Sequence, residues 1–182
     1  YNTLDEQQIL NIEDLVNQYI NDSYNVNTKV MSIDEAKKEG AMALFGEKYG
    51  AMVRVVDMKV SKEFCAGTHV DNTCEIEKFA IYSFESIGSG IFRITAASSQ
   101  NAMEHVKANC SNLYATLEAT INKINHLVDT AKAEGISIKS EYNYNEPKAF
   151  GYRYIIALRQ EIALAQNALK NLEKEYNNKK SQ

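Results

Sequence analysis

Residues 63–72 read EFCAGTHVDN and set a cysteine and a histidine four apart, Cys65 and His69, around an Ala-Gly-Thr turn. Zinc takes cysteine sulfur and histidine nitrogen, four ligands in a structural site or three plus water in a catalytic one. The pair can therefore supply half of a metal site. The competing reading is a small packed cysteine beside a histidine that hydrogen-bonds its own loop. No His or Cys precedes Cys65. Cys74, His105 and Cys110 follow it, so a set of Cys65, His69, Cys74 and Cys110 can be drawn, with loop spacing unusual for zinc modules. A Cys–His nucleophile pair would need the two side chains to fold back on one another across the turn. There is no glycine-rich phosphate loop with lysine, and Gly88-Ser-Gly90 gives only a turn signal. His126 stands one position off an apolar seam and reads as a helix-surface or interface residue.

The rest of the chain must position that turn. Its 182 residues are 45% hydrophobic and 24% charged with a single proline, an ordinary composition for a folded protein. No apolar run reaches the ~18–20 residues of a membrane span. Three cysteines, an odd number without an export pattern, argue against a disulfide framework and for a reducing, cytoplasmic setting. A net charge of −4 argues against holding nucleic acid by bulk electrostatics alone, though not through a local patch. The opening YNTLDEQQIL has neither an initiator Met nor a basic-then-apolar run, as expected of a piece of a longer protein.

Thr3 to Glu6 has the capping-box form, and apolar residues from Leu4 to Ile20 recur at helical spacing, which predicts a helix over 4–21. NVNTKVM (25–31) predicts a strand. Ser32 to Glu35 repeats the capping box and opens a short helix that stops at Gly40. Strands are predicted at 51–58, 78–87 and 91–99. From Met103 to Ala131 apolar residues step by three or four, predicting one helix of some thirty residues ended by Gly135. After the polar stretch GISIKSEYNYNEP (135–147), Leu158, Ile162, Ala165, Leu169, Leu172 and Tyr176 form a heptad seam. The expected fold is α+β: an antiparallel sheet with packed helices over 1–99, then a long antiparallel helical hairpin of coiled-coil type over 100–182. Each seam is expected to pack on its partner helix, and a homodimer through the helical region is a further expectation.

SKEFCAGTHVDNT, the F-x-I strand after it and the Gly-x-Gly-Ile-x-Arg-Ile strand resemble the second half of the editing domain of alanyl-tRNA synthetases. Related domains occur in threonyl-tRNA synthetases and free-standing alanyl editing proteins. The block EAKKEGAMALFGEKYGAMVRVVDM (35–58) narrows the resemblance to the alanyl enzymes. The resemblance covers 4–99 continuously, and the long helices match the helical segment that follows in the synthetase. It implies an enzyme that charges tRNA(Ala) with alanine, using ATP and magnesium at a catalytic core absent here. It also implies a second site, in which zinc participates, that hydrolyses mischarged Ser- or Gly-tRNA(Ala). Such editing is needed because one small group changes binding by only ~1–3 kcal/mol.

In that family a His-x-x-x-His pair completes the zinc site, so Cys65 and His69 would be two of the ligands and the others would lie upstream of Tyr1. The chain alone is then expected to be inactive. Thr68 would read the serine side chain or hold the loop, and Arg93 matches an arginine that would face substrate or tRNA. Four positions depart from the family pattern: Ala66, Cys74 and Glu77 stand where glycine is usual, and Phe92 where an arginine is. The competing function is a structural, dimerisation and tRNA-positioning module with degenerate editing.

Overall fold

The computed structural model describes residues 4–44 and 47–181. Packing divides the chain into two compact units, one built from Leu4–Phe79 with Ser98–Gln100 and the other from Ala80–Ala97 with the residues from Asn101 onward.

The first unit opens with α1 (Glu6–Asn21), whose cap is a reciprocal pair between Asp5 and Gln8. The capping box expected at Thr3 includes a residue outside those described. Ile9 and Ile20 are buried on one face of α1. On α1, the Asn17 side chain donates to Phe79 O (2.8 Å) and accepts from Phe79 N (3.0 Å), an amide imitating a strand partner. Thr73, buried on a 3-10 turn (Thr73–Ile76), accepts from Tyr24 N (2.9 Å) and donates to Tyr19 O (2.7 Å). These two polar anchors fix the chain around the end of α1, since a buried polar group left unpaired would cost about 1–3 kcal/mol.

A three-stranded antiparallel sheet follows in the order β1 (Asn27–Ser32), β2 (Met52–Asp57), β3 (Lys62–Phe64). Between β1 and β2 lies α2 (Ile33–Lys38), opened by the expected Ser32–Glu35 box and closed before Gly40 at φ +78°. Met31, Val53, Val55 and Phe64 pack with Ala36 into a small core. Alternation along β2 turns Arg54, between Val53 and Val55, to the other face. β3 was not expected: three residues are too few to show a period.

The second unit begins with a two-stranded sheet of β4 (Phe79–Gly88) and β5 (Ile91–Ser98), as expected, antiparallel because only Ser89 and Gly90 join them. The expected thirty-residue helix is two helices, α3 (Ala102–Ala108) and α4 (Ser111–Ala133), interrupted at Asn109 and Cys110. Gly135 does end α4, at φ +75°. The long α5 (Tyr152–Lys180) follows.

The α+β class with packed helices holds, but the two long helices do not run antiparallel. The Tyr114 and Tyr154 hydroxyls meet near the start of each helix, while Glu134 accepts from Tyr176 (2.7 Å) and Lys180 (3.0 Å) near the ends. Contacts that rise together along both helices mean parallel neighbours. The physical reason is the connection. Short loops enforce antiparallel packing, but the eighteen residues 134–151 can extend to ~60 Å, well beyond the ~35 Å length of α4. They retrace the pair as a strap. Ile138 is buried with Ile124, Ala131 and Leu172, Tyr142 donates to Glu161 (3.1 Å), and Glu146 accepts from Lys107 (2.7 Å). Leu158, Ile162, Ala165 and Leu172 of the α5 seam are buried. That seam is thus spent within the chain. Burial first, then the bond to Glu161, pushes the Tyr142 phenol up to about 12. No described helix is long and apolar enough to cross a membrane.

Candidate metal-ligand turn

β3 ends at Phe64, so Cys65 is the first residue beyond a strand clamped to β2. Its N–H donates to Arg54 O at 3.0 Å. The Arg54 side chain reaches the same turn from β2: Nη1 donates to Cys65 O (2.9 Å) and to Gly67 O (2.6 Å). His69 Nδ1 lies 3.0 Å from Gly67 O. A carbonyl only accepts, so this contact requires the proton on Nδ1, which leaves the lone pair on Nε2. Cys65 is half-buried, and Ala66 through His69 are exposed. A cleft of about 440 Å³ opens beside the turn, lined by Tyr49, Met52, Arg54, Phe64, Cys65 and Ala66 among others.

Sequence reasoning passed over Arg54. The available signal was a lone cation inside a valine-rich strand, which alternation must turn away from the core toward whatever crosses the outer face.

Of the four departures from the family pattern, the backbone separates two. Positive φ among described non-glycine residues falls at Ser23, Lys59, Glu77 and Ser99. Ala66 is not among them, so its methyl meets no backbone obstacle. Glu77 sits at φ 67°, ψ −69°, where glycine is favoured. Cys74 is exposed on the 3-10 turn, its N–H bonded to Asn72 Oδ1 (2.9 Å). Phe92 stacks on Phe84 across the β4–β5 hairpin, centroids 5.6 Å apart. Its neighbour Arg93 is exposed and pairs with Glu85 at 3.1 Å.

Thr68 is exposed, and the turn is held instead by Arg54. Cys110 is buried at the head of α4, where desolvation pushes its thiol up. His105 and His126 are exposed on α3 and α4. Among the described residues no three His, Cys, Asp or Glu side chains come together to hold a metal, so the drawn set with Cys74 and Cys110 is not assembled. Cys65 and His69 remain as two donors of the types zinc takes, and the imidazole carries the outer hydrogen bond that metal-bound histidines usually make.

Residues 53–95, which contain this turn and most of the β4–β5 hairpin, match the model of the threonyl and alanyl tRNA synthetase second additional domain. The strand, turn and hairpin described above therefore lie in a domain of that class. Over more of the chain, the similarity is to alanine–tRNA ligases. The Acholeplasma laidlawii enzyme is 48% identical over 128 residues, 70% of this chain and 15% of the relative. The chloroplastic/mitochondrial enzyme of Populus trichocarpa is 40% identical over 82% of this chain and 16% of the relative. The Synechocystis enzyme is 38% identical over 87% and 17% respectively. The chain belongs to the alanine–tRNA ligase family and spans roughly one sixth of the length of these relatives.

Proposed function

We propose that this chain carries part of the editing site of an alanine–tRNA ligase, which hydrolyses the ester of serine or glycine mischarged onto tRNA(Ala). In this reading Cys65 and His69 hold zinc together with two histidines outside these 182 residues, and the chain alone does not deacylate tRNA. The observation that carries the reading is the His69 contact with Gly67 O at 3.0 Å, which leaves the lone pair on Nε2 in the same turn that holds the half-buried Cys65. Bound zinc would supply Lewis-acid polarisation of an ester or a water.

This chain's own residues shape and orient. Arg54 holds the turn, the cleft beside Cys65 offers room for the terminus of a tRNA acceptor strand, and the exposed Thr68 hydroxyl is open to a substrate side chain. ATP and magnesium belong to the aminoacylation core of the complete ligase, whose tRNA(Ala) is the expected partner. The alternative of a dimerisation module is less favoured, because the α5 seam is already covered by α4 and the strap.

Deacylation of Ser-tRNA(Ala) by a complete ligase carrying this segment tests the reading. Cys65→Ala or His69→Ala should lower editing at least ~10-fold, as loss of an activating group does, with alanine charging retained. Undiminished editing in both variants would overturn it.

A further inference from the structure

We propose that Arg54 is a positioning residue for His69, fixing through the Gly67 carbonyl which imidazole nitrogen faces outward. In its metal consequence the proposal rests on the reading above. Its structural core does not. Between Cys65 and His69 the described hydrogen bonds are Cys65 N to Arg54 O, the two donated by Arg54 Nη1, and the one inside the turn from His69. Three of the four belong to Arg54, and the exposed residues 66–69 have little packing to replace them.

The geometry of the clamp is specific. One nitrogen with two hydrogens serves two carbonyls two residues apart, drawing Cys65 O and Gly67 O toward one point and so curving the turn. Its bond to Gly67 O, at 2.6 Å, is short and charge-assisted, the stronger kind of hydrogen bond. A carbonyl has two lone pairs. With one committed to Arg54, the oxygen is held in place and offers the other to His69 Nδ1–H. The imidazole is then locked in the Nδ1–H form with Nε2 free. Without the guanidinium, Gly67 O is released to water and the imidazole loses its anchor.

The tautomer can be read directly from the side-chain nitrogen shifts of His69 in the 15N-labelled chain at about pH 8, where imidazole is neutral. His105 and His126 serve as internal references. The expected result is Nδ1–H at His69, moving toward Nε2–H in Arg54→Met while the backbone amides of Val53, Val55 and Phe64 keep their shifts. In a complete ligase carrying this segment, zinc ions titrated after chelation should bind about tenfold more weakly with Arg54→Met than without it, in line with loss of an outer hydrogen-bond partner.

An Nε2–H parent, or populations unchanged by Arg54→Met, overturns the proposal. The parent measurement alone decides the first point should the variant not fold. If the tautomer follows Arg54 but the complete ligase binds zinc equally tightly with and without Arg54→Met, the positioning role stands and its metal consequence fails.

Discussion

Replacing Glu77 separates backbone strain from side-chain bonding at one position. Glu77 has φ 67° and ψ −69°, and Lys78 N donates to Ile76 O at 2.8 Å across it. This is the three-residue turn whose central residue takes positive φ, a rare and strained arrangement. Against that strain stands one bond, Gln100 N to Glu77 Oε2 at 2.9 Å. Glu77→Ala removes the bond and keeps the strain. Both groups are exposed, so the loss should be near the lower end of ~0.5–1.5 kcal/mol. Glu77→Gly loses the same bond but releases ~1–2 kcal/mol of left-handed strain, offset by the ~0.5–1 kcal/mol entropy of glycine. The glycine variant should therefore exceed the alanine variant by about 0.5–1 kcal/mol, which corresponds to roughly 1–4 °C in melting midpoint for a chain of this size. Thermal and urea melts followed by circular dichroism compare the two directly. An alanine variant as stable as the glycine variant, or more so, would refute the strain.

Two further outcomes follow from the polar anchors and the charges. Thr73→Val keeps the shape but leaves Tyr24 N without its buried acceptor, and should cost about 1–3 kcal/mol in urea unfolding; a variant within ~0.3 kcal/mol of the parent contradicts the anchor. Stability should also fall with acid. Ser32 bonds hold the Glu35 carboxyl below its ordinary value, the Lys59 N–H does the same for Asp57, Tyr176 and Lys180 for Glu134, and Lys107 for Glu146. A folded pKa below the unfolded one gives stability that is full above the unfolded value and lost as pH falls through the folded one. The melting midpoint should hold steady down to about pH 5 and drop below about pH 4.5, and a midpoint that rises over that acid range would contradict these assignments.

Much of the local structure was legible because single residues announce it. Ser32 with Glu35 marked the start of α2, and Gly40 and Gly135 marked two helix ends, each at positive φ. The break between α3 and α4 was hidden because Met103, Val106, Cys110 and Leu113 keep the 3–4 stepping across it. Periodicity says which face is apolar, not which way the helix runs, so it could not distinguish parallel from antiparallel neighbours. The strap did leave a signal. In ISIKSEYNYN, Ile136, Ile138, Ser140, Tyr142 and Tyr144 are the partly or fully buried positions, alternating with exposed ones, a period of two inside a stretch that composition alone marks as polar.

At the site, Cys65 and His69 stood out by residue type, since thiol and imidazole at close spacing have few common uses. Arg54 did not, because its task is done through carbonyl oxygens that no sequence pattern displays.

The central claim is that Cys65 and His69 ligate a metal in the complete domain. Its most direct test is the zinc content, by elemental mass spectrometry, of a complete alanine–tRNA ligase carrying this segment, beside its Cys65→Ala and His69→Ala variants. Each variant should lose one equivalent of zinc per chain relative to the parent while remaining folded by circular dichroism. Zinc content unchanged in both variants would contradict the claim.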